Sequence, residues 1–237
     1  MADLYLVNFL ILLAGFFSYQ LKLLTGFAAF WGTVIALLLF YCFGYTGLCL
    51  MSAFFIFGNA VTSFSLWKSK RRKTVYREKR TASQVLANGG LAGIISITYL
   101  ITHEQTMLLP LMIAAVFAST TSDTFSSELG IIYGKNSYNL LTFKKEWPGA
   151  DGLVSLEGSL CGVIGAALIA VIFCAMNGWN SWFWWIFISG VGGNLADSVL
   201  GLLFQRKGIM SNDGVNFFNT VIAALILIFF WAVAGPG

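Results

Sequence analysis

Six of the ten carboxylates in this sequence, Asp123, Glu128, Asp151, Glu157, Asp197 and Asp213, stand at or just inside the ends of long apolar segments. An acid at the centre of a membrane helix costs about 2.5–3.5 kcal/mol. Near an end it costs less, but it still faces a bundle interior, a cavity or a metal. These acids keep oxygen-rich company without Cys or His, which suits Mg²⁺ rather than zinc. Left uncompensated they would repel one another, and a divalent ion carrying phosphates removes that repulsion. Asp123, Asp151, Asp197 and Asp213 are the expected metal ligands.

The bases suggest the phosphates. Lys68, Lys70, Arg71, Arg72, Lys73, Arg77, Lys79 and Arg80 form one basic run. Such a run serves as a topology anchor on anionic lipid heads. A sharper reading has Lys79 and Arg80 clamp phosphate, since guanidinium forks match phosphate oxygens at two points. Asn88-Gly89-Gly90 follows, and glycines let backbone N–H groups come close to an anion.

Further polar groups recur at helical spacing. Ser119, Asp123 and Ser126 share a face, while Glu128 lies about 140° round from Asp123 on a straight helix. It reaches the same site only if the helix loosens or another element approaches. The neighbouring Ser and Thr hydroxyls, Ser127 included, also serve as helix glue. In Asp151-Gly152-Leu153-Val154-Ser155, Asp151 is either a ligand or a helix cap. Gly158, Gly162 and Gly165 form a small-residue packing stripe. Asn194 and Asp197, with Ser198 adjoining, share a wall with Gly190 and Gly201, and Asp213, Asn216 and Asn219, preceded by Asn212, lie on one side of the last segment. Acids for a metal, bases for phosphate and surrounding lipid point to chemistry on a phosphorylated lipid with a nucleotide. No nucleic-acid partner is expected.

These residues are set in a chain of 237 residues, 58% apolar and 10% charged, against roughly 25% charged in soluble domains. Mean hydropathy is +0.80. The chain cannot furnish a polar shell, and its composition fits no collagen-like, disordered or disulfide-stapled class. The expected fold is all-α, a single polytopic transmembrane domain over 1–237. Eight spans are read at roughly 4–21, 26–43, 46–67, 84–101, 107–127, 153–176, 181–204 and 215–234, or seven if the first is partial. Loops are expected at 68–83 and 134–150. No signal peptide is read. Cys42, Cys49, Cys161 and Cys174 read as small hydrophobes, His103 is solitary, and Trp179, Trp182, Trp184 and Trp185 read as an interfacial belt.

All 14 bases fall in alternate loops: Lys22; the run Lys68–Arg80; Lys135, Lys144 and Lys145; Arg206 and Lys207. The positive-inside rule places these loops in the cytoplasm and both termini outside. An internal repeat is also expected. Ser122-Asp123-Thr124 and Ala196-Asp197-Ser198 each precede a basic loop and then an Asp-Gly, at Asp151-Gly152 and Asp213-Gly214, with a weaker copy at Asn59 and Asn88-Gly89.

Together these motifs resemble one family. They are Lys79-Arg80 with Gln84 to Gly90, Asp123-Thr124 with Ser127 to Gly130, Pro148-Gly149 with Asp151-Gly152 and Val154-Ser155, Asp197-Ser198 with Leu200-Gly201 and Gln205, and Asn212-Asp213 with Val215-Asn216. The sequence is similar, over roughly residues 4–233, to the family of vertebrate transmembrane protein 19 and the plant phytyl-phosphate kinase of the tocopherol and phylloquinone pathway. Ser122 replaces a frequent Ala, and Glu157 occupies a variable position. The resemblance implies a nucleotide-dependent kinase acting on an isoprenyl monophosphate. It also implies a distant tie to CTP-using phytol kinase, dolichol kinase and phosphatidate cytidylyltransferase.

The expected catalytic residues are Lys79, Arg80, Asp123 and Asp197. Asn88, Gly89, Ser127, Glu128, Asp151, Gly152, Ser155, Asn194, Ser198, Asn212 and Asn216 would bind substrate or nucleotide. A CTP-dependent cytidylyltransferase and a transporter are the alternatives; acids gathered on one side disfavour the latter, whose sites lie near the midplane. A topology reporter attached after Gly237 is expected to read outside, and a cytoplasmic signal would overturn the orientation.

Overall fold

The computed structural model describes residues 2–70, 78–103, 106–146 and 151–235. Arg71, Arg72, Lys73, Arg77, Glu104 and Pro148–Gly149 lie outside the described residues, as does the Lys70 side chain.

The chain is helical almost throughout: α1 (Ala2–Gln20), α2 (Gly26–Lys70), α3 (Ala82–Thr102), α4 (Leu108–Tyr133), α5 (Leu156–Asn177), α6 (Trp182–Leu200) and α7 (Asn212–Ala234). Among the described residues, seven helices are long and apolar enough to cross a membrane. Straight, the 43-residue apolar part of α2 would be about 65 Å long, twice the roughly 30 Å hydrocarbon core. It is not straight. At Gly44 the backbone turns to φ 59°, ψ −143°, and a Cβ on Gly47 would lie 2.9 Å from the Leu39 carbonyl oxygen. Eight residues of continuous helix would separate the two Cα atoms by about 12 Å along the axis. The two arms of α2 therefore fold back on each other, so that the seven long helices among the described residues supply eight apolar segments.

The core is built round α4. Ten successive residues, Ile113 to Ser122, are buried, so this helix is enclosed on every side rather than along one stripe. Lipid offers no hydrophobic drive between helices, so close approach of small residues must hold the bundle together. The expected glycine stripe of α5 supplies it. A Cβ on Gly158, Gly162 or Gly165 would come within 2.8–3.0 Å of the carbonyl oxygens of Ser126, Ser122 and Thr121. On α6, a Cβ on Gly190 would meet Ala118 at 2.7 Å.

All four base-bearing connections meet at one end of the bundle. Leu24 pairs with Arg80 in a short parallel bridge, Arg206 pairs with Glu146, and Ser83 donates to Asp213. The Arg206 guanidinium, helped by Asn139, holds the Glu146 carboxyl below its usual range. At the opposite end Asn177 donates to Thr46 at 3.4 Å.

The expected loop at 134–150 is more ordered than the sequence suggests. Strands β1 (Ser137–Asn139), β2 (Lys145–Glu146) and β3 (Leu153–Val154) pair antiparallel in the order β2-β1-β3. Residues 153 and 154 thus belong to a strand, and the helix expected from 153 begins at Leu156. The tryptophans divide: Trp179 and Trp184 are exposed, whereas Trp185 is buried and stacks on Phe230.

Gly44 has no neighbour near its missing side chain, so a substitution there meets backbone strain alone. Gly44→Ala is expected to destabilise the fold by about 1–3 kcal/mol, read as a lowered melting temperature in detergent.

Candidate active site

Three of the helices that start at the basic end, α3, α5 and α7, are each capped by a hydroxyl. Thr81 accepts from the Gln84 N–H and Gln84 answers at the Thr81 N–H, a complete capping box. Ser155 accepts from the Gly158 N–H and Ser211 from the Gly214 N–H, both at 3.1 Å. The caps satisfy one donor each and leave the partial positive charge of three helix starts at this end. Asp151 is therefore not the cap of α5; Ser155 is. Asp151 stands free of that role in the turn before β3.

The end of α6 widens. Residues Gly201–Gln205 form a π-turn, closed by Arg206 N–H donating to the Gly201 carbonyl at 2.9 Å. Single π-turns frequently mark functional sites. Gly152, at φ 74°, presses its backbone into this turn, and a Cβ there would lie 2.6 Å from the Ser198 carbonyl oxygen. The Asp151-Gly152 turn and the end of α6 are thereby one surface.

Between these parts lies a polar cavity of about 590 Å³. Its walls come from five places. Glu78, Lys79 and Arg80 precede α3, which adds Gln84 and Asn88. Helix α4 contributes Asp123, Thr124, Ser126, Ser127 and Glu128. The turn before α5 gives Asp151, Gly152 and Ser155. Helix α6 and the π-turn that ends it add Asn194, Asp197, Ser198 and Gln205, and α7 adds Asn212 and Asn216. Fourteen of the residues expected at a site thus line one space. Glu128 reaches it without any loosening of α4: the cavity wraps the end of that helix, as Thr62 and Leu66 of α2 and Ile131 also line it.

Two expected residues stand elsewhere. Gly89 lines a neighbouring apolar cavity. Asp213 turns to Ser83; the face of α7 toward the cavity is Asn212 and Asn216, with Asn219 one turn deeper, so Asp213 is not brought to the other acids. Glu157 accepts from the Lys135 N–H at 3.3 Å, outside the cavity. Sequence reasoning gave no site role to Glu78, Thr124, Gln84 or Gln205. The capping-box spacing from Thr81 to Gln84 was the readable signal for one of them.

Asp123 and Asp197 both line this cavity. Asn219 donates to Asp197 at 3.1 Å and accepts from Ser119 at 2.6 Å, which fixes the rotamer of Asp197 from behind. Among the described residues neither carboxylate forms an ion pair. No three acidic, His or Cys side chains converge among the described residues. Mg²⁺ fits such a donor set, because it typically takes one or two carboxylates and completes its shell with water and substrate phosphates. The bases stand at the mouth. Lys79 lies 5.9 Å from the Tyr19 ring, and the Arg80 guanidinium 5.6 Å from the Phe54 ring.

The family model for integral membrane protein DUF92 matches residues 9–224. The chain belongs to this family. Among DUF92-related proteins, an uncharacterized membrane protein of Methanocaldococcus jannaschii is 34% identical over 201 residues, 80% of this chain and 78% of that protein. The chloroplastic protein VTE6 of Arabidopsis thaliana is 29% identical over 196 residues, 78% of this chain and 59% of that protein. An uncharacterized membrane protein of Synechocystis is 29% identical over 230 residues, 93% of this chain and 87% of that protein. No solved structure matches the chain.

Asn219 is fully buried, so Asn219→Leu strips Asp197 of its donor and Ser119 of its acceptor. The expected cost is about 1–3 kcal/mol per orphaned group, measured as a loss of thermal stability.

Proposed function

We propose that this DUF92 protein is a membrane kinase that transfers a phosphoryl group from a nucleoside triphosphate, CTP in the first instance, to an isoprenyl monophosphate. The observation that carries this reading is the meeting of Asp123 and Asp197 with Lys79 and Arg80 on one polar cavity. The motif resemblance to the plant phytyl-phosphate kinase family supports it.

The acceptor's phosphate oxygen attacks the γ-phosphorus, the bond from that phosphorus to the bridging oxygen breaks, and the nucleoside diphosphate leaves with the electron pair. The acceptor is already anionic at neutral pH, so the protein needs no strong general base. Its task is position and electrostatics. Asp123 and Asp197 would hold Mg²⁺, with Asp151 near the same space. The ion would offset charge on the nucleotide phosphates. Lys79 and Arg80 stabilise negative charge on the transferred group. The starts of α3, α5 and α7 favour anions at the same end, and Asn88, Ser127, Ser198, Asn194, Asn212 and Asn216 supply neutral contacts. By the positive-inside rule the whole site faces the cytoplasm.

Purified protein given an isoprenyl monophosphate, Mg²⁺ and labelled CTP is expected to yield the lipid diphosphate and CDP. CDP-lipid with pyrophosphate would instead make it a cytidylyltransferase. Asp123→Asn and Asp197→Asn should each lower turnover by about 10²–10³-fold with the fold retained by circular dichroism, and EDTA should abolish it. Full turnover in both variants would overturn the site. Lost lipid-phosphate uptake into proteoliposomes without any turnover in the parent would mark a transporter.

A further inference from the structure

The polar cavity has room for phosphates, yet an isoprenyl phosphate is mostly hydrocarbon. A second cavity of about 340 Å³ adjoins the first, and Arg80, Gln84 and Asn88 line both. From this shared mouth it runs between α1 and the two arms of α2. Small residues give it width: Ala14 on α1, Gly32 and Ala36 on the first arm. Met51 and Phe55 wall it from the second arm. A Cβ on Gly32 would have only Leu24 and Val85 near it, each at 4.0 Å, so Gly32 leaves open space. Two of its hydroxyls are turned to their own helices: Ser18 donates to the Ala14 carbonyl at 2.7 Å and Thr33 to the Ala29 carbonyl at 2.8 Å. The slot is therefore apolar in effect as well as in composition.

At the mouth the Arg80 guanidinium lies over the Phe54 ring, and Phe54 also lines the slot. A fixed cation at one end of an apolar slot, opening onto a polar cavity, matches an amphiphile with an anionic head and one hydrocarbon tail. An apolar cavity of about 150 Å³ holds a benzene, so a slot of this size holds on the order of a dozen carbons, two or three isoprene units. Only α1 separates it from lipid on one side, and Leu6, Phe9, Leu10 and Phe16 of that helix are exposed.

We propose that this slot binds the tail of the isoprenyl phosphate acceptor, with its phosphate passing Arg80, Gln84 and Asn88 into the polar cavity. The proposal rests on the kinase reading for the identity of its ligand. Gly32 and Ala36 then act as specificity-determining residues, setting how much tail is accommodated before it leaves toward the bilayer.

The test uses the full-length protein in nanodiscs and two readouts. In the first, geranylgeranyl and dimethylallyl monophosphates are compared as acceptors. In Gly32→Phe, and separately in Ala36→Phe should the first fail to fold, the ratio of kcat/KM for the long acceptor over the short one is expected to fall about tenfold. An unchanged ratio in a folded variant would overturn the slot. In the second, a geranylgeranyl monophosphate bearing a diazirine on its tail is photolysed on the unsubstituted protein. Labels are expected within 11–18, 29–36 and 48–56, and labels confined to α5 and α7 would overturn the proposal. If no acceptor is turned over but slot labelling occurs and Gly32→Phe removes it, the tail site stands and the kinase reading falls. Turnover with labels elsewhere leaves the kinase reading and removes the slot.

Discussion

The close contact between α4 and its neighbours is the constraint on which the rest of this molecule depends. A helix buried on all sides in a membrane gains nothing from leaving water, because its surroundings are as apolar as itself. It is held by van der Waals contact and by hydroxyls, and both require small residues opposite one another. Gly158, Gly162 and Gly165 of α5 and Gly190 and Gly193 of α6 bring those backbones against Ser126, Ser122, Thr121, Ala118 and Ser119 of α4. That approach brings the stretches of α4 and α6 that carry Asp123 and Asp197 onto one cavity.

The basic end shows a second economy of construction. Helices α3, α5 and α7 begin there, and α4 and α6 finish there. The starts carry partial positive charge over their first turn, so the backbone itself gives the cavity an anion-favouring side. Lys79 and Arg80 stand just before the start of α3 and add to it, while Asp123 and Asp197 lie further inside α4 and α6. Side-chain cations and helix starts agree, which is what a site for phosphates demands.

Much of this was legible in the sequence, and the reasons are specific. Long apolar segments can only cross a bilayer, so the spans were readable, and glycines at spacings of four and three marked the α5 face. Asp123 and Asp197 were legible because an acid inside an apolar span has few uses. The failures came where local chemistry competes. Asp151 was weighed as a cap, but Ser155 stands three residues before Gly158 and supplies the oxygen at the correct position. Asp213 was grouped with Asn216, yet Ser83 draws it toward α3 and leaves that face to Asn212. The sheet at 137–154 was not foreseen, since strands of two or three residues are too short for any alternation to show. The π-turn at 201–205 left no sequence signature.

The bridge between Leu24 and Arg80 has a mechanical consequence. Arg80 N–H donates to Leu23 and the Arg80 carbonyl accepts from Thr25, both at 3.0 Å, so the residue at the mouth of the slot is bolted to the turn that begins the slot's own wall. The main chain of Arg80 cannot shift without carrying the start of α2 with it. Head-group reach and slot register are in this way a single setting, like the fixed jaw of a calliper, and variation among relatives at residues 23–25 would change what fits beyond the jaw without touching any charged group.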